Sequence, residues 1–342
     1  MKRIAAFSTA VITAGLLSGC APASEPGAVA ADSATCTGQT LTVARSSSAS
    51  LIYAVDYIAE ARGFFEDEGI DVEAIALGGG SEALQALIGG SADITTTAYF
   101  SMLEAREKGA PVIAFASEGN RNTSEIGIKA ELAPPEGSSP AEVIESLRGL
   151  RVGVTSPGSS TDQTLRYLLA ENGLDAEEDL EIIAVGSAAS IVAGFDQGSL
   201  DAFLIGPPNS AVAVERGAGV ISLNIAGGDV TSLNDMMYMV ASTTEKILTE
   251  KAPLLQCYAN ALNKAAVFAN ENPDEARDAI RPYFDGIEPA IFDASWESIL
   301  PSIPLTSGVD AAEAEKALGF IEVVRGSDSL PDVASSITDQ FN

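Results

Sequence analysis

Short apolar runs alternate with longer stretches of helical spacing from about residue 40 onwards. The apolar runs predict strands at 41–44, 72–77, 94–97 and 112–115, and the longer stretches predict helices at 52–61, 83–88 and 101–108. This alternation is typical of α/β proteins, in which crossover helices leave neighbouring strands parallel. We therefore expect a mostly parallel sheet here.

A second series of the same kind follows. It predicts strands at 126–128, 151–154, 182–185, 202–205 and 220–223, with helices at 161–171 and 190–197. A shift of 108 residues superposes Gly78 on Gly186, Gly90 on Gly198, Ser91 on Ser199 and Asp93 on Asp201. The repeated order of elements predicts two similar α/β lobes, although chance could produce some of these identities in so Gly-rich a chain.

Beyond residue 243 the pattern becomes helical, with helices predicted at 252–270, 273–283, 289–296 and 311–324. We expect these helices to cover the first sheet, for which only four strands are predicted. The chain would leave lobe one near Asn120 and return near Met236, so that two crossings form a hinge. Lobe one then comprises residues 40–122 and 237–342, and lobe two comprises 123–236.

The N-terminus has the features of an export signal. Lys2 and Arg3 precede an apolar run at 4–17 that is too short to span a bilayer. The following small residues, which end at Cys20, resemble the lipobox of bacterial lipoproteins. That resemblance implies that residues 1–19 are a signal peptide and that Cys20 carries a lipid anchor on the extracytoplasmic face of the cell membrane. A conventional signal peptide with an incidental cysteine is the alternative.

Residues 20–39 are rich in Ala, Ser, Pro and Gly and predict a flexible tether. With Cys20 acylated, the cysteines that remain are Cys36 and Cys257. An exported protein meets an oxidising environment, so we expect the two to form a disulfide. Two free thiols remain the alternative.

Composition excludes several classes of function. The chain has 48 acidic and 19 basic residues and a formal net charge of −29, which opposes binding to nucleic acid or to anionic lipid. It contains no histidine, and this removes the Ser-His-Asp triad, the usual Cys-His pair and the commonest zinc ligand. Residues 78–83 fit a dinucleotide-binding turn, but they follow the second strand of their lobe. We expect no enzyme activity, cofactor or metal.

Ser, Thr and Gly residues follow several predicted strands at their carboxyl ends, where open α/β sheets usually bind ligands. The run at 155–161 is the strongest signal, because Ser160 or Thr161 would cap a helix whose first amides suit an oxyanion. The hydroxyls could instead serve only as caps and turns. The predicted ligand contacts are Ser46, Ser47, Ser48, Gly80, Ser81, Thr97 and Tyr99 in lobe one, and Ser156, Gly158, Ser159, Ser160, Thr161 and Gly186 in lobe two.

Other residue types near these turns have two interpretations. Arg45 and Arg121 could pair with a carboxylate or sulfonate, or lie on the surface. The aromatic residues Trp296, Tyr53 and Phe100 could stack on a ligand, but are more typical of a core. Asp56, Glu60 and residues 66–68 predict a solvated helix face.

Several motifs together resemble the periplasmic binding proteins for sulfonates, taurine, nitrate and thiamine-type pyrimidines. They are AEARGFFEDEGIDVE at 59–73, LIGGSADI at 87–94, GAPV at 109–112, LRGLRVGV at 147–154 and GSLDA at 198–202. The resemblance covers about residues 41 to 280. It implies the type II periplasmic-binding-protein fold, with two α/β lobes that close on a small polar or anionic molecule. By position it also adds Asn120 and Pro207 to the ligand contacts.

The resemblance further implies partners. A monomeric binding protein of this kind delivers its ligand to an ABC permease that is driven by a cytoplasmic ATPase. Some eukaryotic relatives are pyrimidine-forming enzymes that depend on histidine, which this chain lacks. An extracytoplasmic enzyme of the same fold and a ligand sensor for a membrane receptor are the alternatives.

Overall fold

The computed structural model describes residues 36–325 and 332–342. The predicted signal peptide, Cys20 and residues 20–35 of the predicted tether lie outside the described residues. The last four residues of that tether belong to the fold, because Cys36 is fully buried and the first strand begins at Gln39. The expected boundary near residue 40 is therefore a few residues too late.

The described residues form two five-stranded sheets with the same spatial arrangement of strands, which we call lobe one and lobe two. The strand order is β2-β1-β3-β10-β4 in lobe one and β7-β6-β8-β5-β9 in lobe two. The strands are β1 (Gln39–Arg45), β2 (Ile70–Ala76), β3 (Ile94–Ala98), β4 (Val112–Gly119), β5 (Glu125–Lys129), β6 (Arg151–Val154), β7 (Glu181–Ala184), β8 (Ala202–Ile205), β9 (Gly219–Asn224) and β10 (Met239–Thr244).

In each sheet, one strand runs antiparallel to both of its neighbours. This strand is β10 in lobe one and β5 in lobe two, and each is the first strand that the chain forms after crossing from the other lobe. The expected two-lobe α/β fold with two crossings is confirmed. Strand β10 was not predicted, because its residues MVASTT are all buried and show no alternation of apolar and polar positions.

Helices cover the sheets close to the positions predicted from the sequence. Those predicted are α1 (Ala54–Ala61), α3 (Gly80–Ile88), α4 (Tyr99–Glu107), α6 (Ser160–Glu171), α7 (Ala188–Asp196), α10 (Ala252–Glu271), α11 (Pro273–Ile280), α12 (Pro289–Ile299) and α13 (Ala311–Arg325). Short helices without a clear apolar period were missed, namely α2 (Phe64–Asp67), α5 (Pro140–Glu145), α8 (Asn209–Arg216), α9 (Glu245–Glu250) and α14 (Val333–Ser336). Among the described residues, no helix is long and apolar enough to cross a membrane.

The 108-residue repeat is a structural repeat. Helices α3 and α7 have the same length and begin 108 residues apart. The Asp93 carboxylate accepts a hydrogen bond from the Thr42 amide at 3.2 Å, and the Asp201 carboxylate accepts one from the Arg151 amide at 3.0 Å. The two aspartates thus fix equivalent strands in the two lobes.

The C-terminal helices divide their contacts between the lobes. Helix α10 packs on α1 and β4 of lobe one, as expected. Helix α13 contacts both lobes, because the Phe320 ring stacks on Phe100 of α4 at 4.2 Å and on Tyr167 of α6 at 4.7 Å between centroids. The expectation that all of these helices cover the first sheet is therefore wrong for α13, which gains apolar contact from both lobes. It is also wrong for α12, whose Ser298 Oγ lies 3.3 Å from Asn224 Nδ2 of lobe two.

Cys36 and Cys257 are joined by a disulfide whose Cα atoms lie 6.8 Å apart. The bond ties the segment before β1 to α10 over a sequence separation of 221 residues. We expect titration of unreduced protein, expressed without residues 1–20, to detect no free thiol. Reduction should lower the free energy of unfolding by about 2 to 5 kcal/mol, because the reduced unfolded chain gains entropy. A Cys36→Ala/Cys257→Ala variant should not respond to the reductant, and two titratable thiols in the wild type would contradict the bond.

Candidate functional site

A cavity of about 60 Å³ lies between the two lobes. Its walls come from the ends of strands and the starts of helices in both lobes, and none of the lining side chains is charged. The lining residues are Ser46, Ser47, Ser50, Ile52, Tyr53, Gly78, Gly80, Thr96, Thr97 and Ala98 before the first crossing, Ser124, Thr155, Ser160, Thr161, Ala188, Ile205, Gly206 and Asn209 in lobe two, and Tyr238 and Met239 at the second crossing.

Four helices begin at residues that line this cavity, one of them α8 at Asn209, and the other three present the amides of their first turn. These three are α3 at Gly80, α6 at Ser160 and α7 at Ala188. The first amides of a helix have no intrahelical acceptor, and the helix dipole adds a partial positive charge at that end. The cavity can therefore offer hydrogen-bond donors to an acceptor or a small anion without a charged side chain.

Six of the predicted ligand contacts line the cavity: Ser46, Ser47, Gly80, Thr97, Ser160 and Thr161. The structure brings these six residues together from both lobes. That they contact the ligand remains our prediction.

The other predicted contacts do not line the cavity, and several have structural partners instead. Tyr99 is fully buried, with its phenolic oxygen 2.7 Å from Ser336 Oγ. Ser159 caps α6 by accepting a hydrogen bond from the Asp162 amide. Ser81 donates to the carbonyl oxygen of Pro157 at 3.0 Å. The remaining residues outside the lining are Ser48, Asn120, Ser156, Gly158, Gly186 and Pro207.

Several lining residues were not predicted from the sequence, because they do not lie at the carboxyl end of a predicted strand. Ser50 reaches the cavity from the turn after β1, and Tyr238 from the crossing before the unpredicted strand β10. Asn209 reaches it from α8, and its side-chain amide donates to the Ala49 carbonyl of lobe one at 3.1 Å. Ser50 could have been predicted as a lining residue, because it is a hydroxyl residue in the turn that follows an apolar run.

Outside the cavity, the lobes make direct contact. Ser101 Oγ of α4 donates to the Gly158 carbonyl of lobe two at 3.2 Å. Gln163 Nε2 of α6 lies 2.7 Å from Glu104 Oε2 of α4 and 2.7 Å from the Gly158 carbonyl. A Cβ atom added to Gly79 would lie only 2.7 Å from Ser156 Oγ, so lobe two approaches the Gly79 backbone closely.

Thr96, which lines the cavity, also contacts a buried cluster of charged residues inside lobe one. Arg45 Nη2 is 3.2 Å from Asp56 Oδ1, which also accepts a hydrogen bond from Tyr258 at 2.5 Å. Thr96 Oγ1 lies 3.2 Å from Asp56 Oδ2 and 3.0 Å from Glu118 Oε1. Burial, with added repulsion from Asp56, raises the pKa of Glu118 well above its ordinary value.

This cluster corrects two expectations. Asp56 is 0 % exposed and is not part of a solvated helix face, because it pairs with Arg45 inside lobe one. Arg45 is 3 % exposed and does not line the cavity, so it is not placed to pair with a ligand there.

Other candidates from the sequence also lie outside the cavity lining. Arg121 Nη1 donates to the Ala226 carbonyl at 3.3 Å. Trp296 and Phe100 are buried in the core, whereas Tyr53 does line the cavity. Within the described residues, no group of three or more His, Cys, Asp or Glu could hold a metal ion.

Comparison with protein families gives a match over residues 49–282, which include both sheets except β1. The matching model describes the NMT1-like family. The chain belongs to the NMT1-like family. This NMT1-like protein is 24 % identical to the formylaminopyrimidine-binding protein of Halalkalibacterium halodurans over 83 % of its own length and 86 % of that protein.

Solved structures share the same fold. A protein of Bordetella bronchiseptica RB50 has 27 % identity and a TM-score of 0.76, with 88 % of this chain and 95 % of that chain covered. The alkanesulfonate-binding protein SsuA of Xanthomonas axonopodis pv. citri, bound to MOPS, has 17 % identity and a TM-score of 0.70, with 89 % and 99 % covered. The resemblance to periplasmic binding proteins that the sequence motifs indicated is confirmed.

The raised pKa of Glu118 predicts how stability changes with pH. The folded protein holds the Glu118 proton at a pH at which the unfolded chain has released it, so this group stabilises the fold at low pH and loses that contribution as pH rises. We expect Glu118→Gln, which cannot ionise, to become more stable relative to the wild type as pH rises from 5 to 8. The difference should grow by at most about 1.4 kcal/mol per pH unit.

Urea unfolding across this pH range measures the effect. Glu136→Gln, which changes an exposed carboxylate in lobe two, is the control and should show no comparable trend. A pH-independent difference between the wild type and Glu118→Gln would contradict a buried neutral Glu118.

Proposed function

We propose that this NMT1-like protein is an extracytoplasmic solute-binding protein of an ABC importer. It captures a small polar or anionic organic molecule between its lobes and delivers it to a permease that is driven by a cytoplasmic ATPase. The observation that carries the proposal is a cavity whose lining comes from both lobes, so that a ligand in it contacts both and favours their approach. No covalent chemistry is part of the proposal.

The cavity lining narrows the chemistry of the ligand. Hydroxyl groups and helix amides surround it, and no lining side chain can form an ion pair with the ligand. Its volume of about 60 Å³ suits a small ligand or the polar group of a larger one. The names of relatives that bind a formylaminopyrimidine or an alkanesulfonate support a ligand with several hydrogen-bond acceptors.

Export and anchoring complete the proposal. The resemblance of the segment ending at Cys20 to a lipobox supports a mature protein that begins at an acylated cysteine and is held at the membrane surface. Residues 21–35 would then join the lipid to lobe one. Mass spectrometry of the mature N-terminus tests this part, because an unmodified cysteine or a cut at another residue would overturn it.

The ligand can be sought in two steps. Native mass spectrometry of gently purified protein would detect a co-purified molecule, and thermal unfolding would rank a panel of sulfonates, carboxylates, nitrate and pyrimidines. A ligand at about 100 times its dissociation constant adds about 2.7 kcal/mol to the free energy of unfolding. Chemical turnover of a bound compound would favour an enzyme. If the purified protein binds the compound but a strain that lacks the protein takes it up normally, a sensor would be favoured.

Replacing Ser160 tests the site. We expect Ser160→Ala to weaken binding of the best panel compound by about 0.5 to 1.5 kcal/mol, because one hydroxyl that lines the cavity is lost. Ser139→Ala is the matched control, since Ser139 caps α5 away from the cavity with a capping box to Glu142. That variant should lose about 1 kcal/mol of stability and keep its affinity. Unchanged affinity in Ser160→Ala, measured by calorimetry, would move the ligand away from the start of α6.

A further inference from the structure

One polar cluster joins the lobes without lining the cavity. It consists of Ser101 and Glu104 on α4 of lobe one, and of Gly158 and Gln163 in lobe two. None of these residues lines the cavity. We call the four residues the latch.

Gln163 makes the central contacts of the latch. Its Nε2 atom lies 2.7 Å from Glu104 Oε2, 2.7 Å from the Gly158 carbonyl and 3.3 Å from Ser101 Oγ. A side-chain amide has two N–H donors, so one can bond the Gly158 carbonyl of lobe two and the other Glu104 of lobe one. Gln163 is only 4 % exposed, and a buried donor without an acceptor is costly.

The latch also holds the loop that leads into α6. The Gly158 carbonyl accepts from Ser101 of lobe one and from Gln163, and the Gly158 amide donates to Asp162 Oδ2 at 2.8 Å. Ser160 and Thr161, which line the cavity, follow this loop directly. The same contacts that join the lobes therefore fix the start of α6 against the cavity.

We propose that Gln163 is a positioning residue for lobe closure, which stabilises the closed arrangement through Glu104 and Ser101 without touching the ligand. This inference rests on the proposed function, in which closure accompanies binding. A contact that forms only in the closed arrangement shifts the equilibrium between open and closed lobes by the same factor whatever ligand is bound. The latch therefore raises the affinity for every ligand by the same factor.

Glu104 contributes a charged acceptor to the contact between the lobes. Glu104 Oε1 pairs with Lys108 at 2.6 Å, which leaves Oε2 directed at Gln163. Hydrogen bonds to a charged group are worth more than those between neutral groups. Loss of this bond should therefore favour the open arrangement by about tenfold.

The first measurement uses ligand-free protein and does not depend on the cargo. Spin labels at the exposed positions Glu66 in lobe one and Glu136 in lobe two report the distance between the lobes. Gln163→Met keeps the length of the side chain and removes its donors, and it should raise the ratio of open to closed populations about tenfold. Gln197→Met, the same change at an exposed position on lobe two, is the control.

A second variant tests the same contact from the other lobe. Glu104→Ala should open the protein as Gln163→Met does, and combining the two should add little, because each variant removes the same Gln163–Glu104 hydrogen bond between the lobes. A purely structural role for Gln163 would lower the melting temperature and leave the distance distribution unchanged. That result would overturn the proposal, as would a wild type that is wholly open without ligand.

Binding kinetics separate this proposal from the proposed function. With nitrate and methanesulfonate as probes, Gln163→Met should raise the dissociation constants of both by one common factor. Unequal factors would mean that Gln163 acts on affinity through the binding site and not through lobe closure alone, and would overturn the proposal. If neither probe binds the wild type, the oxyanion class is in question, whereas the distance measurement still decides the role of Gln163.

Discussion

Each lobe depends on a strand that the chain inserts antiparallel after crossing from the other lobe. β10 lies between β3 and β4, and β5 lies between β8 and β9, so neither sheet is continuous without its crossing strand. Each connection therefore runs from an edge strand of one sheet, β4 or β9, to an interior strand of the other, β5 or β10. This constraint leaves rotation about the two crossings as the simplest relative motion, and it places the loops at the carboxyl ends of the parallel strands opposite one another across the cavity.

The facing loops explain how an acidic protein can offer a site for a polar or anionic solute. The net charge of −29 is carried by residues outside the cavity lining. Inside, helix starts and hydroxyls supply donors, and the nearest buried cation, Arg45, is paired with Asp56. Attraction for a ligand then comes from oriented dipoles at short range, which the charge of the outer surface influences little.

The sequence predicted the parts of this architecture that depend on local pattern. The alternating elements and the 108-residue repeat gave both lobes, and the rule that ligands bind at the carboxyl ends of strands found Ser46, Thr97 and Ser160. It could not find Tyr238 or Asn209, because these reach the cavity only through the crossing and the docking of the lobes. Asp56 was misassigned for a similar reason, since its partners Arg45 and Tyr258 lie on other elements, β1 and α10.

The central claim is that the two lobes close over a small solute. Small-angle X-ray scattering of the purified protein, first free of ligand and then saturated with the compound that native mass spectrometry detects, tests it most directly. The account predicts a smaller radius of gyration with the compound bound, and a closed form whose scattering curve matches the lobe arrangement described above. Identical curves with and without a compound that binds in the cavity would contradict it.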